Sequence, residues 1–386
     1  MISYRFRLTP SKRIAATFEA WLDGCREIYN AGLQERRGAY KLTGKSPTYY
    51  DQQNQLPEIK TLRPDIAAIN AQVLQSALRK LDRSFDNFFR RVKNGEKPGY
   101  PRFKGKAYFN SFTFPQMKDA FRIEGKYLRL SKIGKVKLIQ HRPIGGKIKT
   151  CTIKREANKW YAVFAVEENQ SRWFPRTGDA VGVDVGIENF ATLSTGEVIE
   201  NPKHLRQAEA SIKQASRNLA RKKRGSKNYA KTKAVLAKKH QQVANRRADF
   251  FHKTGLRLIK EFDAIVFEDL NIKGLVKNHY LAKSISDAAW GTFINTVTSK
   301  AAKAGRIVER VPAAFTSQDC SSCGHRVRKS LAVREHRCIA CGFVAHRDHN
   351  AAINIRLRSN RVEGDSALRN KMIKGKPRDV ASILTT

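Results

Sequence analysis

Acidic residues, long apolar runs and cysteines are all scarce in this 386-residue chain. No stretch approaches the roughly twenty apolar residues that a membrane-spanning helix needs. The first nine residues alternate polar and apolar side chains, unlike the apolar centre of a signal peptide. The six cysteines, four of them in two CxxC pairs, favour a metal site in a reducing compartment over a disulfide framework. We therefore expect a soluble intracellular protein with no membrane partner.

The shortage of acidic residues leaves a large positive charge. The chain has 34 Asp and Glu against 75 Lys and Arg, a net charge of +41. Such a charge destabilises a compact chain by self-repulsion unless a polyanion neutralises it. Nucleic acid is the expected partner, because each neutralised phosphate releases counterions. A basic membrane-surface protein is the alternative, but we find neither an amphipathic anchor nor a lipidation signal.

The first 170 or so residues combine a helical segment with short strands. Residues 2–8 alternate as a strand that places Arg5 and Arg7 on one face, and residues 14–91 have a helical pattern. From residue 94, short β-like runs separated by regular turns predict a small barrel. The strand at residues 2–8 can join that barrel, which would make the helical segment an insertion.

Residues 95–114 interleave basic and aromatic side chains, reading GEKPGYPRFKGKAYFNSFTF. Basic groups beside aromatic faces are typical of proteins that bind single-stranded or splayed nucleic acid. Arg102 and Lys104 are therefore candidate nucleic-acid contacts. The alternative, that these aromatic rings belong to the core of a β-domain, stays open for each ring.

Residues 203–250 are the most basic stretch, and their thin apolar stripe predicts two helices with a break near Gly225. A run of charge is usually a solvated helix face. Here almost no acidic residues balance the basic ones, which favours a nucleic-acid contact. The candidate residues at the break are Arg221, Lys222, Lys223 and Arg224.

Three carboxylates stand in unusual places. Asp184 lies inside an apolar run, Glu268 ends another, and Asp348 begins a segment that suits a helix. Taken singly, they have ordinary explanations: a turn residue before a glycine, a solvated strand end and a helix N-cap. Taken together, they predict a two-metal site for phosphodiester hydrolysis, in which the carboxylate oxygens are ligands of two Mg²⁺ ions.

The two CxxC pairs, Cys320/Cys323 and Cys338/Cys341, flank a loop of fourteen residues. Two thiolates at that spacing can share one tetrahedral ion with a second pair, so we predict one structural Zn²⁺ held by all four cysteines. His325, His336 and His346 are nearby and are alternative ligands. Basic residues on the loop indicate that this segment also contacts phosphate.

Several of these segments resemble one family. Five segments resemble the nuclease and zinc-finger blocks of TnpB proteins: VGVDVG, IVFEDLNIKGL, TSQDCSSCG, the second CxxCG and RDHNAAINI. Three earlier segments resemble signatures nearer the start of that family's sequences: RLTPSKR, CREIYNAGL and YPRFKGK. TnpB (OrfB-type) proteins are transposon-encoded RNA-guided DNA endonucleases related to the compact type V CRISPR nucleases. By that resemblance, Asp184, Glu268 and Asp348 fall on the catalytic positions and the four cysteines on the zinc positions.

The resemblance implies a multidomain α+β fold. It predicts an RNase H-like (RuvC) α/β nuclease domain at 179–315 and 346–358 with an inserted zinc finger at 316–345. It predicts a wedge β-barrel at 1–10 and 94–172, carrying a helical recognition domain at 11–93. The polar segment 359–386 has little periodicity, and we expect it to be loosely ordered.

The resemblance also implies the partners and the setting. We expect a monomeric ribonucleoprotein in the prokaryotic cytoplasm, associated with the nucleoid. Its guide RNA would come from the transposon end, and it would cut double-stranded target DNA beside a short adjacent motif. The chain departs from the family pattern at His346, where the family often has Asp. We expect this histidine to alter the metal affinity or the pH dependence of the site. The alternatives are a nuclease-inactive RNA-guided repressor and a DNA-joining transposase.

Overall fold

The computed structural model describes residues 1–117, 119–168, 174–330 and 332–359. The chain divides into two compact units, Met1–Gln170 and Ser171–Thr386, and each has its own hydrophobic core. Within the described residues, no helix is both long and apolar enough to cross a membrane. Apart from residue 359, the polar segment at the end of the chain lies outside the described residues.

The first unit contains a seven-stranded antiparallel sheet, a half-barrel in which the first strand lies near the middle. The strand order is β2-β6-β7-β1-β5-β4-β3. The strands are β1 (Ile2–Thr9), β2 (Ser111–Phe114), β3 (Phe121–Glu124), β4 (Tyr127–Leu130), β5 (Gly134–Ile139), β6 (Lys147–Glu156) and β7 (Lys159–Glu167). Since β1 pairs with both β5 and β7, the helices between β1 and β2 are an insertion in sequence, as expected.

The inserted helices are α1 (Lys12–Thr43), α2 (Tyr49–Asn54), α3 (Leu56–Leu62), α4 (Pro64–Ala67) and α5 (Ala71–Lys93). Ser11 caps α1, because its hydroxyl accepts a hydrogen bond from the backbone N–H of Ile14 at 3.3 Å. A buried guanidinium joins three of these helices: Arg36 of α1 donates to Gln52 of α2 and to Asp82 of α5.

The second unit is built on a five-stranded mixed sheet of order β10-β9-β8-β11-β12. Its strands are β8 (Ala180–Val185), β9 (Asn189–Leu193), β10 (Val198–Glu200), β11 (Ala264–Glu268) and β12 (Ile307–Val311). Strands β8, β11 and β12 run parallel, and β9 and β10 form the antiparallel edge. The apolar runs at residues 180–185 and 264–267 are therefore central strands, as the sequence predicted.

The helices of the second unit are α6 (His204–Ala220), α7 (Lys227–Glu261), α8 (Ile272–Leu275), α9 (His279–Ala288), α10 (Trp290–Ala304) and α11 (Arg347–Leu357). The basic segment forms the α6–α7 hairpin, and Gly225 in its turn has a φ of +85°, which favours glycine. A two-stranded hairpin, β13 (Glu335–Arg337) and β14 (Val344–His346), follows the first CxxC pair.

The two faces of the second sheet carry different side chains. Val181, Val183 and Val185 of β8 face a core that includes Phe251 of α7 and Phe293 of α10. Because successive strand residues point to opposite faces, the intervening residues of β8 face the other side, where α11 packs.

Gly182 of β8 explains why α11 packs so closely. A Cβ atom at Gly182 would lie 2.0 Å from the carbonyl oxygen of Ala352 and 2.6 Å from the backbone N of Arg356. No other residue type fits there without displacing the helix, so glycine sets the height of α11 above the sheet.

Candidate active site and metal centre

The register of two parallel strands brings Asp184 and Glu268 side by side. Val183 of β8 pairs with Phe267 of β11, and Asp184 and Glu268 are the next residues along the two strands. Both point away from the large core toward α11, because they alternate with residues that face it. Glu268 is only 9% exposed, so it is not a solvated strand end. By contrast, the neighbouring Asp269 has a 67% exposed side chain.

Asp348 lies in the first turn of α11, on the same side of the sheet. Its alternative explanation as an N-cap is wrong, because His346 is the N-cap and its Nδ1 accepts the Asp348 backbone N–H at 3.3 Å. Arg347 donates from Nε to Asp348 Oδ1 at 3.1 Å. His346, the departure from the family pattern, therefore contacts the candidate site directly.

The three carboxylates interact electrostatically. Burial raises the pKa of Asp184 well above its usual range, and the negative charges of Glu268 and Asp348 raise it further, against an opposing effect of Arg347. Burial also raises the pKa of Glu268, opposed by a hydrogen bond from Thr316 and by the charge of Arg358. A buried acid whose charged form is destabilised by burial and by two neighbouring carboxylates is typical of a site that receives a cation.

Thr316 holds Glu268, and the sequence analysis did not single it out. Its hydroxyl is buried and donates to Glu268 Oε1. Thr316 belongs to the segment between β12 and the first CxxC pair, in the TSQDC motif. A hydroxyl four residues before the first cysteine of the cluster is the only signal that the sequence offers, and by itself it does not indicate the distant partner.

Polar residues on α11 bind the backbone of that same segment. Asn354 donates to the carbonyl oxygens of Thr316 and Asp319 at 2.8 and 2.6 Å. Asn350 donates to the carbonyl of Asp319 at 2.8 Å and accepts the backbone N–H of Ser321 at 2.9 Å. The helix that carries Asp348 is thereby tied to the loop that holds Glu268 and leads to the cysteines.

The four cysteines fit a tetrahedral ion. Their sulfur atoms all lie within 4.8 Å of one another, with Cys320 3.8 Å from Cys341 and Cys323 3.6 Å from Cys338. These distances are far too long for disulfides. They match the roughly 3.8 Å between sulfurs that a Zn–S bond of about 2.3 Å requires in a tetrahedron. The donor set therefore suits Zn²⁺.

Histidine is not part of this cluster. In the described residues, no other group of three or more Cys, His, Asp or Glu side chains has its ligand atoms as close together as these four cysteines. His336 is fully buried, but its Nδ1 lies 2.7 Å from Lys329 Nζ. The three carboxylates are more widely spaced than the thiolates, and their oxygen donors suit hard cations such as Mg²⁺.

The candidate nucleic-acid residues lie at the surface or close to it. Arg5 and Arg7 lie on the face of β1 opposite its buried residues, although Arg5 is also paired with Glu156 at 3.1 Å. Arg102 is exposed, and Lys104 is half-buried. The run Arg221, Lys222, Lys223 and Arg224 is exposed at the turn of the α6–α7 hairpin.

Comparison with solved structures first identifies the class of fold. A Cas12f1–sgRNA–target DNA complex solved by cryo-EM matches with a TM-score of 0.57 and 15% identity, covering 90% of this chain and 83% of that one. This likeness shows the fold of a compact Cas12f1-type protein.

Family models and relatives identify the family. The OrfB_IS605 model ("Probable transposase") matches residues 163–279, and a "Cas12f1-like, TNB domain" model matches residues 290–355. A Streptomyces pristinaespiralis protein, named as a candidate RNA-guided DNA endonuclease, is 34% identical over 92% of this chain and 88% of its own length. The Escherichia coli K12 protein InsQ, named in the same way, is 28% identical over 92% of this chain and 91% of its own length. The chain belongs to the TnpB family.

One further family model, a helix-turn-helix domain, matches residues 1–45. In the structure these residues form β1 and one continuous 32-residue helix, α1. The match therefore places the segment within the family without describing its fold.

Proposed function

We propose that the chain is a transposon-encoded, RNA-guided DNA endonuclease that hydrolyses phosphodiester bonds at Asp184, Glu268 and Asp348. The observation that carries the proposal is the convergence of these three carboxylates on one side of the sheet, where their negative charges raise the pKa of Asp184. A purely structural role gives no reason to bring three acids together against their repulsion.

The architecture supports this assignment. A sheet with parallel central strands, an antiparallel edge and a covering helix is what an RNase H-like nuclease domain requires, and we assign residues 179–315 and 346–358 to it. We assign residues 316–345 to a zinc finger, 1–10 and 94–172 to a wedge barrel, and 11–93 to a recognition domain.

The three carboxylates would hold two Mg²⁺ ions. Bound Mg²⁺ supplies Lewis-acid stabilisation of the charge that develops during phosphodiester hydrolysis. The hydrogen bond from Thr316 to one carboxylate oxygen of Glu268 orients the other oxygen. The hydrogen bond from Arg347 orients the carboxylate of Asp348 in the same way. In the reaction, a water oxygen bonds to phosphorus while the bond to the 3′-oxygen breaks, which leaves a 5′-phosphate and a 3′-hydroxyl.

The partners follow from charge and from similarity. The net charge of +41 favours a polyanionic partner, and the similar solved structure is a complex with sgRNA and target DNA. We propose that base pairing with a guide RNA selects the target, and that the protein reads only a short motif beside it. The four cysteines would hold one structural Zn²⁺.

The test is cleavage of a DNA target matched to the RNA that co-purifies with the protein. Asp184→Ala should lower cleavage on the order of a thousandfold or more while RNA binding is retained. Asp269→Ala, at the exposed neighbour of Glu268, is the matched control and should cut normally. Persistent cutting by Asp184→Ala would refute the site. Binding without cutting by the wild type would indicate a repressor, and strand joining would indicate a transposase.

A further inference from the structure

The segment between α5 and β2 carries aromatic rings that the proposed nuclease chemistry does not use. The structure divides the six rings of residues 95–114 into two groups. Three are buried in the core of the first unit, namely Phe109, Phe112 and Phe114. Tyr100 and Phe103 are 44% and 47% exposed, and Tyr108 is 82% exposed. The core interpretation therefore explains only half of the rings.

The backbone of the segment that carries Phe103 is hydrogen-bonded to α1. The side-chain amide of Asn30 in α1 donates to the Lys104 carbonyl at 3.1 Å and accepts the Lys104 backbone N–H at 2.8 Å. This pair of bonds fastens the loop beside Phe103, and the guanidinium carbon of Arg37 lies 5.7 Å from the centre of the Phe103 ring. A ring that is anchored through its backbone loses little entropy when a ligand stacks on it.

Tyr100 is anchored by other aromatic rings. Its ring packs edge-on against Phe85 and Phe88 of α5, with centroids 5.7 and 5.4 Å apart. Phe89, which follows in α5, is 61% exposed and contacts Phe88 at 5.2 Å. Phe89 and Tyr100 are thus connected through Phe85 and Phe88, and Phe103 follows Tyr100 by three residues in the chain. The aromatic platform is defined as these three exposed rings: Phe89, Tyr100 and Phe103.

The charge around the aromatic platform is almost all positive. Residues 88–106 contain seven Lys or Arg and one Glu, a net charge of +6 (7 − 1). Every residue from 89 to 100 is exposed. Exposed rings among cations match a nucleic acid, whose bases stack on the rings while its phosphates meet the cations.

We propose that the aromatic platform binds unpaired bases of the guide RNA. Bases inside a duplex are already stacked on each other, so only an unpaired segment can offer its faces. A displaced DNA strand is single-stranded only while a target is bound. An exposed aromatic patch marks an interaction site, and a guide RNA would be bound before any target DNA is opened. This inference rests on the proposed function, because it presupposes a guide RNA.

Binding measurements with full-length protein test the inference. The probe is a labelled oligoadenylate RNA about twelve nucleotides long, compared with a double-stranded RNA and with single-stranded DNA of the same sequence. The double variant Tyr100→Ala/Phe103→Ala should weaken single-stranded RNA binding about tenfold or more and leave duplex binding within about twofold. Phe103→Tyr, which keeps a ring, should bind like the wild type.

The matched control is Tyr127→Ala, because Tyr127 in β4 of the same unit is also 47% exposed but lies outside the aromatic platform. It should leave RNA binding unchanged. Ultraviolet crosslinking of the co-purified RNA to wild-type protein is a second measurement, and it should label peptides that contain Tyr100 or Phe103.

Three results for the Tyr100→Ala/Phe103→Ala variant would overturn the inference. They are an unchanged affinity for single-stranded RNA, an equal loss of affinity for single-stranded and double-stranded RNA, and a loss of affinity for single-stranded DNA alone. An absence of crosslinks at both residues would do the same. These measurements need no Mg²⁺ and no cleavage, so a failure of the aromatic platform is distinguishable from a failure of the Asp184 site.

Discussion

The second unit contains two candidate metal sites that differ in how the chain assembles them. The four thiolates come from residues 320–341, so two short turns bring them together. The three carboxylates are separated by 84 and 80 residues (268 − 184 and 348 − 268). They meet only because β8 and β11 pair in one register and α11 packs on Gly182. Local spacing defines the first site, and tertiary packing defines the second.

The two sites also differ in how their ligand atoms are arranged. The sulfur atoms already have the spacing of a bound tetrahedral ion. The carboxylates are more widely spaced, and the pKa of Asp184 is raised by burial and by the charges of Glu268 and Asp348. The first arrangement suits a closed structural site, and the second suits a site that gains stability when it binds cations.

The sites are nevertheless physically connected. Asn350 and Asn354 of α11 bind the backbone of the segment that runs from Thr316 to the first cysteines. Disturbing the thiolate site should therefore affect the carboxylate site, whereas the reverse effect should be small. The following three predictions test the two sites, from the largest expected effect to the smallest.

The largest effect is expected from Cys338→Ser. Loss of one thiolate should reduce bound zinc from about one ion per chain to nearly none and lower the melting temperature by about 5 °C or more. Metal analysis and thermal melting measure these two quantities. Ser322→Ala, an exposed position between the first two cysteines, is the control and should retain zinc. An unchanged zinc content in Cys338→Ser would remove the zinc assignment.

Thr316→Val should have an intermediate effect confined to the carboxylate site. Without the hydroxyl, Glu268 loses the hydrogen bond that orients it, and cleavage should fall roughly tenfold or more, as expected for a bond to a charged group. Zinc content should stay at the wild-type value, and Thr316→Ser should restore cleavage. Equal activity of the Val variant and the wild type, measured in single-turnover assays, would show that Thr316 does not position Glu268.

The smallest effect is expected for stability in the Asp184→Asn variant. The folded-state pKa of Asp184 lies above its unfolded value, so the stability that its neutral form contributes is lost as the pH rises through the folded pKa. In chelator at neutral pH, Asp184→Asn should therefore melt about 3 °C above the wild type. The difference should vanish near pH 4, the unfolded pKa of Asp.

Added Mg²⁺ sharpens that measurement, because it should raise the melting temperature of the wild type more than that of Asp184→Asn. A variant that melts below the wild type in chelator at neutral pH would contradict the account of repulsion among the three carboxylates.

Much of this protein follows from local sequence. The Gly225 break separates α6 from α7, and the apolar runs at residues 180–185 and 264–267 are buried strands. The two CxxC pairs predict a four-cysteine cluster, because the spacing of a thiolate pair is set by one turn of backbone. Asp184 and Glu268 are also visible in the sequence, since a carboxylate in an apolar run is costly without a partner.

The tertiary structure alone decided which distant groups meet. Nothing near Thr316 in sequence indicates that its partner is Glu268, and nothing near Gly182 indicates that a helix backbone will lie against it. Likewise, the sequence treats Phe103 and Phe112 alike, and only the packing of the sheet buries one and exposes the other. The physical reason is that hydrogen bonds, close contacts and burial depend on three-dimensional neighbours, whereas periodicity and spacing report only on the local chain.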